Sequence, residues 1–372
     1  MIYRFCVPTL FGVEGLCSDE LSRMGCAEVR AENGRVFFSG GASELARANL
    51  ATATGERVLL VLGSFPARTF DELFEGAAAI AWEEFIPRDG AFPVAAGSSL
   101  ESELHSIPDC QRIIKKAAAV RLTRKYGTGT HPETGVEHKI RFTIRKNAAE
   151  IFLDTSGAAL HKRGYRTESV AAPLRETLAA AIVRVARYRG REALRDPFCG
   201  SGTIVIEAAL LAKNRAPGLN RRFAAEKWSF IGNQIWKNER EALRAKEYSR
   251  QYDIWGGDID PKCAALSEAN ARRAGVDDIV RFETFDARRF DGRSADGGII
   301  VTNPPYGERI MERRDAETLY GEFGAAVREK SAWRKYILSS HTEFERTFGK
   351  SADKKRKLYN GMIKCDLFMY GV

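Results

Sequence analysis

The sequence predicts an α/β protein: an open, largely parallel sheet whose polar strand ends share one edge, preceded by a smaller α+β region. Three observations carry that prediction. Successive apolar runs in the second half of the chain end in Asp196, Asp258, Asp286 and Asn303, which places four polar tips along the edge where open α/β sheets bind ligands. A glycine-containing loop, Gly200-Ser201-Gly202, leads straight into an apolar helix. The first 65 residues instead alternate short strands and helices in the order β-α-β-α-β, which suggests a ferredoxin-like unit.

From the N-terminus, Tyr3–Val7 alternates as a strand and Val13–Leu21 begins a helical pattern. Arg35–Ser39 reads as a second strand, Ala42–Leu50 as a second helix and Val58–Phe65 as a third strand. Residues 70–85 form an amphipathic helix with Leu73, Phe74, Ala77, Ile80 and Ala81 inward. Pro93–Ala96 is strand-like, Asp109–Tyr126 is a long basic helix, and His138–Ile144 with Ala149–Leu153 reads as a hairpin. A polar linker, Asp154–Arg166, follows, so domains are expected at 1–65, 66–155 and 156–372. The basic helix and its end carry Arg112, Lys115, Lys116, Arg121, Arg124 and Lys125. At roughly 100° per residue several of these share a face, which is either a solvated surface or a phosphate-binding one. Lys162, Arg163 and Arg166 in the linker pose the same choice, between a basic connector and a backbone clamp.

The loop Asp196-Pro197-Phe198-Cys199-Gly200-Ser201-Gly202-Thr203 lets the backbone approach a ligand at two glycines, and Thr203 is placed to cap the helix. A dinucleotide-binding loop wants a third glycine and an acid about 20 residues on. Here Val205 follows, and the next strand-end acids, Asp258 and Asp260, lie far downstream. A ligand with one sulfonium cation and an amino-acid end fits better than a pyrophosphate, and Asp196 favours the cation. Cys199 reads as a packing residue, since no histidine lies near it in sequence. Asp258-Ile259-Asp260 can take ribose hydroxyls and Asp286 an adenine amine, although any one of these acids alone reads equally as a loop residue or helix cap. Residues 215–250 form an insertion whose Trp228, Phe230 and Trp236 serve either packing or base stacking.

At Asn303-Pro304-Pro305-Tyr306 the two prolines fix φ and remove two backbone donors, leaving carbonyl oxygens, the Asn303 amide and an aromatic ring. That set suits a planar group bearing an NH2: the Asn303 side-chain oxygen and the Pro304 carbonyl accept its hydrogens while Tyr306 stacks. A plain Pro-rich turn is the alternative. Glu308 and Arg309, just beyond, either touch the target base or pair within the loop. Lys354–Lys357 reads as a solvated hairpin.

These loops resemble those of class I S-adenosylmethionine-dependent methyltransferases acting on exocyclic or amide nitrogens. Leu160–Arg166, Ala172–Ala179, Ser106–Lys116 and Lys357–Gly361 extend the likeness over nearly the whole chain to the THUMP-domain RNA methyltransferases, especially the bacterial branch that makes N2-methylguanine in 23S ribosomal RNA. The resemblance implies a Rossmann-like catalytic domain behind a ferredoxin-like and THUMP region, with S-adenosylmethionine as cofactor. It implies contacts to that cofactor from Asp196, Phe198, Gly200, Gly202, Thr203, Asp258, Asp260, Asp286 and Asn303, with Arg175 and Glu176 closing over the methionine end. Asn303, Pro304 and Tyr306 become the catalytic set, and Arg112, Lys115, Lys116, Lys162, Arg163, Arg166 and Arg309 the RNA contacts. The RNA is 23S rRNA or tRNA. Some relatives carry a second methyltransferase after the first; the chain ends at Val372, so a second activity is not expected.

Composition agrees. With 58 Lys+Arg against 49 Asp+Glu the chain is +9, which suits a polyanionic partner. No run of eighteen apolar residues and no signal peptide are present, so a cytoplasmic protein without membrane spans is expected. Seven cysteines without a C-x-x-C pair argue against zinc or a disulfide framework, and no metal is expected. A DNA adenine methyltransferase would share the Asn-Pro-Pro-Tyr chemistry without needing the N-terminal half. A protein-glutamine methyltransferase is at odds with the charge, and a non-catalytic RNA-binding adaptor would not need four polar strand tips.

Overall fold

The structure, a computed structural model, describes residues 1–166, 174–292, 294–306 and 313–372. The N-terminal half runs β1 (Tyr3–Pro8), α1 (Glu14–Arg23), β2 (Ala27–Glu32), β3 (Arg35–Gly40), α2 (Ala42–Ala51), β4 (Leu59–Pro66), α3 (Phe70–Ala79), β5 (Val94–Leu100), α4 (Ile107–Tyr126), β6 (Ile140–Arg145) and β7 (Ala148–Asp154). Among the described residues these seven strands make one sheet in the order β2-β3-β1-β4-β7-β6-β5. The boundary expected between residues 65 and 66 falls inside β4. That strand pairs antiparallel with β7 from Leu59 opposite Asp154 to Pro66 opposite Ala148, so the ferredoxin-like unit and the following region share a continuous sheet.

β2 was not expected. Its sequence, Ala-Glu-Val-Arg-Ala-Glu, is exposed or half-exposed throughout and lacks the alternation that marks a half-buried strand. Glu28 has φ 51 and the register shifts there, so the ladder is bulged as well. The overlooked signal is Asn33-Gly34, with Gly34 at φ 76, which turns β2 back onto β3.

The C-terminal half runs α5 (Glu176–Val185), β8 (Leu194–Asp196), α6 (Thr203–Ala212), α7 (Asn233–Arg244), β9 (Ile254–Asp258), α8 (Pro261–Ala274), β10 (Val280–Thr284), β11 (Gly298–Thr302), α9 (Arg313–Val327), β12 (Trp333–Ser339), α10 (Phe344–Phe348), β13 (Lys354–Asn360) and β14 (Ile363–Tyr370). The sheet order is β10-β9-β8-β11-β12-β14-β13, parallel except for β14, which runs antiparallel to both of its neighbours. Strand order reverses between β8 and β11, so the crevice that α/β sheets offer to ligands opens at the ends of those two strands. In β11 Ile299 and Val301 join the core under α5 and α6, while Ile300 joins the core under α9. Burial of both faces explains a continuous apolar run in place of alternation.

The insertion at 215–250 settles on packing. Phe223, Trp228, Ile231 and Trp236 are buried in the core of the N-terminal half. Trp228 stacks on His138 at 5.1 Å with an 18° interplanar angle, and its Nε1 donates to the Glu137 carbonyl at 3.1 Å. Phe223 stacks on Trp236 at 5.3 Å, and Arg47 on α2 makes a two-pronged pair with Glu239 on α7, 2.8 Å in each arm. Arg163 completes this junction. It is 3% exposed, donates to the Ala53 and Leu160 carbonyls at 2.6 and 2.8 Å and faces Glu207 of α6 at 3.3 Å, so it is a buried strut and not the phosphate contact expected. No helix among the described residues is long and apolar enough to cross a membrane.

Trp228→Ala removes an aromatic anchor from one half that sits in the core of the other. It should lower the unfolding free energy by about 3–5 kcal/mol, measured by urea denaturation.

Candidate active site

A cavity of about 830 Å³ opens at the carboxyl ends of β8, β9 and β11. Asp196, the last residue of β8, is 1% exposed on its rim. Its Oδ1 accepts from the Thr302 hydroxyl at 2.6 Å and the Phe198 amide at 3.2 Å. Burial outweighs these two donors and pushes the carboxyl up to about 7, with the nearby Asp258 charge adding in the same direction. A buried acid with no cation beside it among the described residues is the site's main electrostatic demand: it is satisfied by a proton or by a cationic ligand.

The loop that follows is held open by geometry. Gly200 and Gly202 both have left-handed φ, 54 and 79, and a Cβ on Gly202 would lie 2.9 Å from that of Ser267. Ser267 and Asn270 of α8 donate to the Gly200 and Ser201 carbonyls at 3.0 Å each. Gly202, not Thr203, is the cap of α6. Thr203 is the first helical residue, and its buried hydroxyl sits 3.4 Å from that of Ser201, so the expected capping role does not hold. Phe198 lines the cavity and meets Phe323 edge-on at 5.1 Å. Cys199 is packed beside Ser267, and burial raises its thiol well above its usual range.

At the end of β9, Asp258 accepts from the Gly200 amide at 2.9 Å and the Asp260 amide at 3.0 Å, tying two loops together. Asp260 is exposed and caps α8 through the Lys262 amide at 2.9 Å. Between them Ile259, 65% exposed, gives the cavity an apolar wall that was not anticipated; the signal was an apolar residue between two acids at a strand end. Phe285 supplies another, braced edge-on against Trp255 at 5.2 Å. Asp286 lines the cavity, but its carboxylate accepts from the Arg288 amide at 3.0 Å and pairs with the Arg288 guanidinium at 2.7 Å, which holds it below the usual carboxylate range. Arg288 too was missed, two residues past the acid it serves.

β11 delivers Asn303, Pro304, Pro305 and Tyr306 to the opposite wall. The Tyr306 hydroxyl donates to Asn303 Oδ1 at 2.5 Å. That oxygen keeps a second lone pair for another donor. The Tyr320 hydroxyl of α9 donates to the Pro305 carbonyl at 2.5 Å and clamps the turn from behind; nothing in the sequence around Tyr320 marks it for that role. Tyr306 is half-buried, packs on the core beneath the sheet, and burial drives its hydroxyl well above its ordinary range, so it enters as a neutral ring.

The expected basic residues divide. Arg309 lies outside the described residues, as does Glu308. Arg166 pairs with the buried Glu176 at 2.7 Å, and Arg175 reaches Glu56 at 3.7 Å. Leu174 lines the cavity where Arg175 and Glu176 do not, so their expected closure over a ligand gives way to these pairs. Lys115 pairs with Glu133 at 2.5 Å and lies 3.5 Å over the Phe92 ring, which makes it part of the domain's own packing. Arg112, paired with Asp109, is exposed with Lys116 and Lys162.

Residues 163–368 match the family model described as "RMKL-like, methyltransferase domain", residues 4–59 match "RlmL ferredoxin-like domain" and residues 67–154 match "THUMP domain". "Putative RNA methyltransferase YpsC" of Bacillus subtilis is 42% identical over 99% of the chain and 96% of the relative. "Ribosomal RNA large subunit methyltransferase K/L" of Psychromonas ingrahamii is 35% identical over 98% of the chain; the chain spans 50% of that relative's length. The crystal structure of SMU.472, a putative methyltransferase complexed with SAH, superposes with a TM-score of 0.93 at 38% identity, covering 99% of this chain and 98% of that one.

Because burial raises Asp196 from 3.8 to about 7, its contribution to stability is complete below 3.8, declines as pH rises and is lost above about 7. Asp196→Asn keeps an acceptor for Thr302 and removes the buried charge. The variant should gain about 2–3 kcal/mol over the wild-type protein between pH 5 and pH 8, read by urea unfolding at the two values.

Proposed function

The chain belongs to the RMKL-like methyltransferase family, and from that premise we propose that it methylates the exocyclic N2 amine of a guanine in 23S ribosomal RNA, with S-adenosylmethionine as donor, in the cytoplasm. The observation that carries this reading is the position of Asn303-Pro304-Pro305-Tyr306 across one cavity from the Asp196–Gly202 loop, at the strand reversal. The name of the Psychromonas relative supports an rRNA substrate, and the SAH in the SMU.472 crystal supports the donor.

The residues present fit that donor. Asp196 is a buried acid in want of a cation, Gly202 leaves no room for a side chain where the loop passes α8, and Ile259 and Phe285 form an apolar slot. The cofactor supplies a methyl group on a sulfonium cation. Asp196 and the Gly200–Gly202 backbone would hold its amino-acid end, Asp258 would accept from the ribose hydroxyls, and Ile259 and Phe285 would flank the adenine beside Asp286. Asn303 and Pro304 would accept the two hydrogens of the target amine and orient its nitrogen, while Tyr306 would cover the base. The base must leave its stack to reach them. A methylated amine carries positive charge until its proton is lost to solvent, and the carbonyl dipoles of Asn303 and Pro304 would stabilise it; positioning would supply most of the rate. Residues 1–65 and 66–155 place the RNA, with Arg112, Lys116 and Lys162 available to its phosphates.

Labelled S-adenosylmethionine is incubated with the protein and total RNA from a strain lacking it, and digested nucleosides are identified by mass spectrometry. Label in N2-methylguanosine from large-subunit RNA is expected, with Asn303→Ala lowering kcat roughly 10²–10³-fold and Tyr306→Phe, which removes the hydroxyl bonded to Asn303 and keeps the ring, by about tenfold or less. Label in tRNA would move the substrate. Label confined to DNA or protein would overturn the RNA assignment.

A further inference from the structure

A second concavity, about 990 Å³, lies between α1 of the N-terminal half and the other end of the catalytic sheet. Its walls are the C-terminal ends of α5 and α6, the starts of β12 and β13 and the end of β14. All of these are at the opposite strand ends from the methyl-transfer cavity. α5 spans the separation: Leu174, just before it, lines the first cavity and Arg184 near its end lines the second, roughly 15 Å away at about 1.5 Å per residue.

Among the described residues that line this groove, ten are Arg or Lys and three are Asp or Glu. Two of the acids are already committed: Glu20 pairs with Arg184 at 2.6 Å, and Glu207 faces Arg163. Four of the cations also have carboxylate partners: Arg47, Arg184, Arg215 and Arg334. Arg23, Arg187, Arg189, Lys246, Lys354 and Arg356 line the groove with no carboxylate partner among the described residues. A solvated surface of a protein this rich in Asp and Glu would intersperse the two signs evenly, whereas a concave wall with so large an excess of one sign focuses its field on the space it encloses.

Arg187 adds an independent sign of selection. It follows α5 in the left-handed region at φ 56, with the Tyr188 amide returning to the Val183 carbonyl at 3.3 Å. Glycine is the residue that this helix ending favours. Arg187 takes that position instead and lines the groove.

We propose that this groove binds the phosphate backbone of the RNA substrate at a segment distant from the target base. The proposal rests on the RNA reading above and extends it: the footprint covers both ends of the catalytic sheet. Phosphate contacts fix register without reading sequence, which is what a site remote from the reacting base can contribute.

The test uses the full chain and a fluorescein-labelled 24-base-pair RNA duplex of arbitrary sequence, titrated at several salt concentrations. One variant combines Arg187→Gly, Arg189→Gln and Lys246→Gln; the glycine relieves the left-handed strain, so folding is not put at risk. A second combines Arg112→Gln, Lys116→Gln and Arg124→Gln on α4. The groove variant should lose at least tenfold in affinity at low salt, and its slope of log K against log salt should fall by about 2–3, at about 0.9 per phosphate, with unchanged binding of S-adenosylhomocysteine. Wild-type affinity and slope in the groove variant, with weakening in the α4 variant, would overturn the groove and leave the RNA reading standing. No duplex binding by the wild-type protein would overturn both. Binding of a poly-glutamate peptide in place of the duplex would assign the groove to an acidic protein and also overturn it.

Discussion

The site depends on one constraint: β8 is three residues long, fully buried between β9 and β11, and ends in a carboxyl group at the centre of the sheet. The reversal of strand order there sends the connecting helices to opposite faces and leaves a crevice that no backbone fills. Asp196 sits in that crevice with a hydroxyl and an amide as its partners. Neither compensates for lost hydration, so the acid is a stored demand for positive charge. The features around it answer to this position: Asp258 ties down the Gly200 amide, α8 holds the loop carbonyls, and Tyr320 holds the facing turn.

The parts of this arrangement that were legible in the sequence are those set by short-range chemistry. Gly200, Gly202, Pro304 and Pro305 restrict the backbone whatever surrounds them, and an apolar run ending in a polar residue is visible without knowing its neighbours. What escaped is set by partners distant in the chain. Asp260 and Asp286 look alike from sequence, yet one is an exposed helix cap and the other is held by Arg288. Arg163 reads as one more cation in a basic linker, and only its meeting with Glu207, 44 residues on, makes it a strut. β2 escaped for the opposite reason: as an edge strand with no buried face it carries no periodicity, and its turn was the only local mark.

The junction between the two halves is built from aromatic burial and buried or half-buried ion pairs: Trp228 on His138, Arg47 with Glu239, Arg163 with Glu207 and Arg184 with Glu20. Pairs of this kind recover little beyond their own desolvation, so their effect is to exclude other docking angles more than to add stability. Under the proposed function, with RNA contacts on one half and chemistry on the other, a fixed angle matters. An error of about 1 Å at the reacting nitrogen costs as much rate as the loss of a catalytic group.

Charge bears on where the proposed substrate contacts can lie. The cavity at the strand reversal is lined by Asp196, Asp258, Asp260, Asp286, Asp315 and Glu322, against Arg288 as the single cation among its described residues. Such a pocket favours a cation and disfavours phosphate, so under the proposed function the RNA backbone would be held by other walls than those that hold the methyl donor. The part of the RNA that such a lining would admit is an uncharged base, which is the separation that base extrusion achieves. The attraction for the backbone has to come from surfaces beyond the range of those acids, and at physiological ionic strength that range is only about 8 Å. The exposed face of α4 and the groove under α5 are both on other elements than the loops that carry these acids, and each is basic. A chain of net charge +9 thus gathers acids around the cavity proposed for the cofactor and cations in the groove proposed for the polymer.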